Sequence, residues 1–293
     1  MAIGFLLFFG WFTLALCVGW PVFALLQRRA GQDAELDLAD GLFALVFLGT
    51  LVIGWVALIL LQLGWFSPWR VFGTSLSIGL ATLFTARRFG RGIKGFHFQH
   101  SWFTWACLAL LVAAVAVYFH PDEFMLGGGD AGVYVNLGAI WADTGSFEFL
   151  EPGLSSLPRE LWSGLFRQAS QNHVVDYIRL PGFYLSSADS QTIVPQFFPL
   201  HPVWISLANG IAGLRASLFV TPLWASLGVL SVVLAVRQLF GPKIGILAGI
   251  LLLVAPLQIY FARYSTAEAL TQFLLWGGLY SFIAFTANGE RLW

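Results

Sequence analysis

Two acidic side chains stand out in a chain of 293 residues of which only 10% are charged. Asp130 closes a glycine run, Phe124-Met-Leu-Gly-Gly-Gly-Asp130-Ala-Gly-Val-Tyr134, and Glu268 stands in Arg263-Tyr-Ser-Thr-Ala-Glu268-Ala-Leu. A carboxylate so placed can take a proton from an attacking hydroxyl, or hold a hard divalent cation. Three glycines cannot sustain a helix, because glycine loses the most backbone entropy on ordering. They predict a sharp turn before Asp130. Asp130, Tyr134, Leu137 and Trp141 then recur at helical spacing and share one face of a short helix, which Gly145 stops. The plainer alternatives are a solvated N-cap for Asp130 and an acid in an exposed first turn for Glu268.

Three further side chains join them as candidate substrate-binding residues. Tyr134 lies one helical turn beyond Asp130. Arg263, five residues before Glu268, can bind a lipid phosphate or snorkel to an interface. His201, between Pro199 and Pro202, is a site residue or a structural histidine. Gly127 to Gly132 matches the letters of a dinucleotide fingerprint, but no strand precedes it and no βαβ unit fits, so that reading is excluded.

The elements that position these residues are membrane helices. The chain is 58% hydrophobic, and ordinary soluble domains are roughly 25% charged. We expect an all-α polytopic integral membrane protein with about seven transmembrane helices and one large exterior loop carrying short juxtamembrane helices. A formal net charge of zero gives no reason to expect nucleic acid. Cys17 and Cys107 lie in separate apolar runs and imply neither disulfide nor metal. The first apolar run has no basic residue before it and no cleavage pattern after it, so it reads as a retained span.

Spans are expected at 3–26, 41–63, 68–86, 101–119, 216–236, 244–262 and 266–286. Arg28-Arg29, Arg87 to Lys94, Arg237 and Lys243 belong on the cytoplasmic side. That places the N-terminus and residues 120–198 outside, in the plasma membrane. The exterior loop holds nine acidic and three basic residues, which fits the rule. Short helices are expected near 131–143 and 158–171, with irregular backbone elsewhere. The segment 199–214 is too short to cross and is laid along the surface or made re-entrant. The chain then divides into a four-span region at 1–119, a loop at 120–198, and a juxtamembrane helix with three spans at 199–293.

Several motifs in order resemble one family. They are Gly-Gly-Asp130-Ala-Gly-Val-Tyr134, then Phe197-Phe-Pro199-Leu-His-Pro202-Val-Trp, then Arg237-Gln-Leu-Phe-Gly-Pro-Lys243, and last Ala255-Pro-Leu-Gln-Ile-Tyr-Phe-Ala-Arg263 running on to Glu268. Together they resemble the GT-C superfamily of membrane glycosyltransferases, in particular bacterial relatives of protein O-mannosyltransferases and aminoarabinose transferases. The resemblance covers about 120–286. It implies that Asp130 deprotonates the acceptor and that Glu268 is a second acidic residue on the same face. It also implies a sugar donor carried on polyprenyl phosphate, membrane lipids around it, and in some members a divalent metal at Asp130 and Glu268. The family places its loop after the first span, whereas here four spans precede it. Seven crossings fall short of the family's usual number, which implies a truncated member or one piece with a partner chain. The rival readings are a transporter or lipid flippase and a non-catalytic membrane subunit. Spans nearly free of charge argue against transport, because transporters keep ionisable groups at mid-membrane.

Overall fold

The computed structural model describes residues 2–27, 36–88, 98–125, 129–150, 152–161, 167–168, 177–179, 182–186 and 192–287. Arg28, Arg29, Arg91, Lys94, Gly127 and Gly128, all within segments used above, lie outside the described residues, as do Asp33, Glu35, Pro181 and Arg291.

The fold is mostly helical. In chain order the helices are α1 (Ala2–Gln27), α2 (Leu38–Gln62), α3 (Pro68–Arg88), α4 (Trp102–Tyr118), α5 (Asp130–Thr144) and the single turn α6 (Pro152–Ser155). There follow α7 (Leu200–Ala212), the short α8 (Leu214–Ser217), α9 (Val220–Phe240), α10 (Pro242–Val254), α11 (Pro256–Arg263) and α12 (Glu268–Ala287). Among the described residues, Ala2–Leu25, Leu38–Gln62 and Leu214–Phe240 are long and apolar enough to cross a bilayer. The bent pair α10 and α11 makes a fourth candidate. These helices mark the chain as a membrane protein. The surface agrees, since Leu6, Phe9, Trp55, Leu80, Phe84, Trp105 and Leu275 point outward, as lipid-facing residues do.

Inside, small and weakly polar residues let helices approach. A Cβ on Gly19 would overlap the Leu45 carbonyl, and one on Gly49 the Ala15 carbonyl, so α1 and α2 cross backbone to backbone. Buried hydroxyls satisfy themselves within their own helices: Thr50 donates to the Val46 carbonyl (2.7 Å) and Ser226 to that of Pro222 (2.8 Å). The core between α2, α9 and α12 is aromatic. Trp224 stacks on Phe273 at 5.5 Å and meets the edges of Trp204 and Trp11 at 4.9 and 5.3 Å.

The direction of each helix follows from its contacts. Gly228 of α9 lies against Gln272 of α12, and farther along Arg237 and Tyr280 both reach Asp40, so α9 and α12 run in parallel. Phe103 at the start of α4 lies under Arg237, and Tyr118 at its end donates to the Leu253 carbonyl (3.2 Å). Helix α4 therefore runs opposite to α9. Thr221 and Arg237 mark two ends of the bundle, roughly 24 Å apart at 1.5 Å per residue.

Three expectations are corrected. The run 244–262 is not one straight helix. Pro256 forces Ala255 into an extended conformation (φ −65°, ψ 127°), and α10 and α11 meet at 65°. The segment expected to be irregular carries a five-stranded antiparallel sheet of short strands. These are β3 (Phe149–Leu150), β4 (Arg167–Gln168), β5 (Tyr177–Arg179), β6 (Phe183–Leu185) and β7 (Thr192–Pro195), in the order β3-β7-β6-β5-β4. The helix expected at 158–171 is a 3₁₀ turn at Arg159–Leu161 followed, beyond residues that are not described, by β4. Helix α7, in the segment expected along the membrane surface or re-entrant, is enclosed by other helices. Its residues 201–208 are all buried, because it packs along α5 on one side and against α9 on the other. At 13 residues it is also too short to cross a ~30 Å core. The remaining pair of strands, β1 (Leu36–Asp37) and β2 (Phe98–Gln99), is parallel.

Candidate functional site

Helix α5 begins at Asp130. Gly129 is the N-cap, in extended conformation (φ −78°, ψ 156°), with no side-chain capping bond. Asp130 is therefore the first helical residue and not the cap, which removes the simplest structural role considered for it. Its carboxylate is exposed and bonds no other described residue. The helix stops at Gly145, whose φ of 68° suits glycine and whose carbonyl accepts from the Phe66 amide (3.0 Å). Trp141, fully buried, donates to the Phe147 carbonyl (3.1 Å) and anchors the far end.

The approach to Asp130 is pinned from two sides. Asn136 of α5 donates to the Met125 carbonyl (3.1 Å), and the Asp122 amide donates to the Arg263 carbonyl (3.1 Å). Phe124 meets the Tyr264 ring edge-on at 4.9 Å, and the Tyr264 hydroxyl lies 3.3 Å from where a Gly129 Cβ would be. A side chain at Gly129 would press on that hydroxyl.

Glu268 opens α12 and is exposed. Tyr134 links it to Asp130. The Tyr134 ring is 8% exposed, and its phenol is raised above its ordinary pKa by burial first and then by the nearby Glu268 and Asp130 carboxylates. Both carboxylates therefore bear on the Tyr134 phenol, though they begin helices almost 140 residues apart in sequence.

His201 is behind Tyr134. Its ring meets the Tyr134 ring edge-on at 5.4 Å, its Nε2 lies 3.4 Å from the Thr221 hydroxyl, and it is 1% exposed. Burial alone pushes its pKa down to about 3, so it is neutral at physiological pH. His201 supports Tyr134 from within and does not face the surface. Its Nδ1 has no partner among the described residues.

Arg263 ends α11. Its Nη2 donates to the Val117 carbonyl (2.5 Å) near the C-terminus of α4, where a cation is favoured by the helix dipole. Its Nε has no partner among the described residues. Between α10, α11 and α12 lies a cavity of about 320 Å³, lined in part by Glu268, Gln258 and Gln272. No three His, Cys, Asp or Glu side chains gather as a metal-holding group among the described residues.

At the opposite end is a polar group that the sequence reading missed. Asp40 and Arg237 had no site role in the sequence reading, Arg237 being only one of the cytoplasmic charges. Asp40 is buried in α2, where it accepts from the Tyr280 hydroxyl (2.8 Å) and pairs with Arg237 of α9. The Arg237 guanidinium lies 4.4 Å over the Phe103 ring. Asp37 caps α2, accepting from the Ala39 amide (3.0 Å), Thr104 (2.6 Å) and Ser101. Burial alone would raise the Asp37 carboxyl, but these bonds and Arg237 outweigh it and hold the pKa below its ordinary value. The signal was an acid inside the apolar helix starting at Leu38 and a cation at the end of another. No known protein family, no curated protein and no solved structure matches this chain, so the chemistry of both ends is read from its own residues.

Proposed function

We propose that the chain is a multi-pass membrane glycosyltransferase of GT-C type. It moves a sugar from a polyprenyl-phosphate donor to a lipid, glycan or protein acceptor at the outer face of the plasma membrane. In this reading the helices make seven crossings, with the N-terminus outside. Asp130 takes the proton of the acceptor hydroxyl, the oxygen attacks the anomeric carbon, and the bond from that carbon to the phosphate oxygen breaks. The polyprenyl phosphate leaves with the electron pair. Glu268 is the second acid of the site, Tyr134 contacts substrate, and His201 holds Tyr134 in place. Arg263, whose Nε lacks a described partner, offers positive charge near the departing phosphate.

One observation carries the reading. Two exposed carboxylates without ionic partners among the described residues each open a helix, and one of them lines a cavity between apolar helices. A sugar on a lipid needs a base on the water side and an apolar slot beside it. Carboxylate oxygens also suit a hard divalent cation, which would offset the phosphate charge; Asp130 and Glu268 are the residues to hold it.

The test uses membranes containing this chain and polyprenyl phosphates bearing labelled sugars. Labelled product from the wild type and none from inserted Asp130→Asn is expected. Full transfer by that variant removes Asp130 from the role, and no transfer from any donor sugar overturns the function. A transporter is the second reading, favoured by the buried Asp40–Arg237–Tyr280 group. Solute uptake by reconstituted protein, lost on Arg237→Met, would put it first.

A further inference from the structure

The cavity behind the α10–α11 bend has a composition that selects among ligands. Glu268 stands at its edge. Gln272 is one helical turn deeper on α12, and Gln258 reaches it from α11. The remaining wall includes Leu252, Leu257 and Phe261. At about 320 Å³ it falls at the small end of the ~300–1,000 Å³ range of ligand pockets.

Two half-buried carboxamides stand in otherwise apolar helices, both on the cavity wall. Gln258 is within reach of the Tyr118 hydroxyl. Gln272 lies over Gly228, a glycine that gives its carboxamide room (3.3 Å from where a Cβ would be), and bonds no other described side chain. A carboxamide both donates and accepts, and a carboxylate accepts from paired hydroxyls. Such a set matches a neutral ring that carries several hydroxyl groups. It does not match a phosphate, because the wall has one negative charge and no Lys or Arg.

We propose that this cavity is a pyranose subsite, in which Glu268, Gln258 and Gln272 hydrogen-bond the hydroxyls of a sugar ring while Leu257 and Phe261 cover its apolar face. The lipid phosphate stays outside it. The proposal deepens the glycosyltransferase reading and rests on it for the sugar's role, but binding can be measured without transfer.

The experiment is equilibrium binding of radiolabelled hexyl pyranosides to the full chain in nanodiscs. Hexyl phosphate and hexyl tetrahydropyranyl ether, which has the ring without its hydroxyls, serve as competitors. Saturable pyranoside binding is expected, with each competitor at least ten-fold weaker. Gln258→Met with Gln272→Met should weaken pyranoside binding at least ten-fold. Equal binding of hexyl phosphate or of the bare ether, which needs no variant to fold, overturns the subsite. So does a lack of saturable binding. Sugar binding without any transfer would leave the subsite standing and defeat the enzyme reading. Transfer with no selectivity among these ligands would do the reverse.

Discussion

The two ends of the helical bundle use similar residues in opposite ways. At one end Asp40 is buried, bonded by Tyr280 and paired with Arg237, and the Arg237 and Asp40 side chains are 19% and 7% exposed. At the other end Asp130 and Glu268 are exposed and have no ion pair with a described residue. Each end has a tyrosine beside its acids. Tyr280 spends its hydroxyl on Asp40, whereas Tyr134 donates to no described residue. A charge that is paired and sealed holds helices together, and removing its partner strands the other charge. A charge that is exposed and unpaired adds little to stability and is free to act on a substrate.

The comparison breaks most visibly through Asp130→Asn. We expect transfer to fall about 10²–10⁴-fold, the usual worth of a general base, with the unfolding midpoint unchanged. Were the variant to unfold early, the two ends would not differ in kind. Next is Arg237→Met, which leaves Asp40 buried with one hydroxyl. A loss of about 3–5 kcal/mol in denaturant unfolding is expected, largely recovered by adding Asp40→Leu. Little change would mean that water reaches Asp40.

A smaller effect separates His201 from a surface histidine. Its folded pKa, about 3, lies below the ordinary histidine value, so below pH 6.5 the unfolded chain binds the extra proton. Stability should therefore fall as pH drops from 6.5 toward 3, by up to about 1.4 kcal/mol per pH unit. His201→Gln should remove that slope relative to the wild type, and identical slopes would show that the ring is hydrated. Asp37 has the same sign at lower pH: its depressed carboxyl contributes stability above the ordinary aspartate range and loses it as pH falls through the folded value. The smallest effect is Tyr280→Phe, with a cost of about 1.5–3 kcal/mol for one lost hydrogen bond to a buried carboxylate.

Much of the carboxylate end was legible from local sequence. The helix expected at 131–143 runs from Asp130 to Thr144, because its apolar spacing and Gly145 are local signals. What failed depended on contacts between distant segments. Asp40 has no visible partner until α9 and α12 bring Arg237 and Tyr280 to it. Strands of two to four residues are too short to show an alternating pattern, so the β3–β7 sheet was not visible. The Ala255-Pro256 break was visible in principle, but a continuous apolar run outweighed one proline. His201 was found by its residue type with a site role and a structural role both open, since burial by α5 and α9 is a tertiary property.

The most direct test asks whether the two acids share a compartment away from the paired end. Single cysteines at positions 130, 268 and 243, in a chain with Cys17 and Cys107 replaced by alanine, would be labelled in sealed vesicles with a membrane-impermeant thiol reagent. The account predicts that 130 and 268 react from one side and 243 from the other. Labelling of 130 and 268 from opposite sides would contradict it.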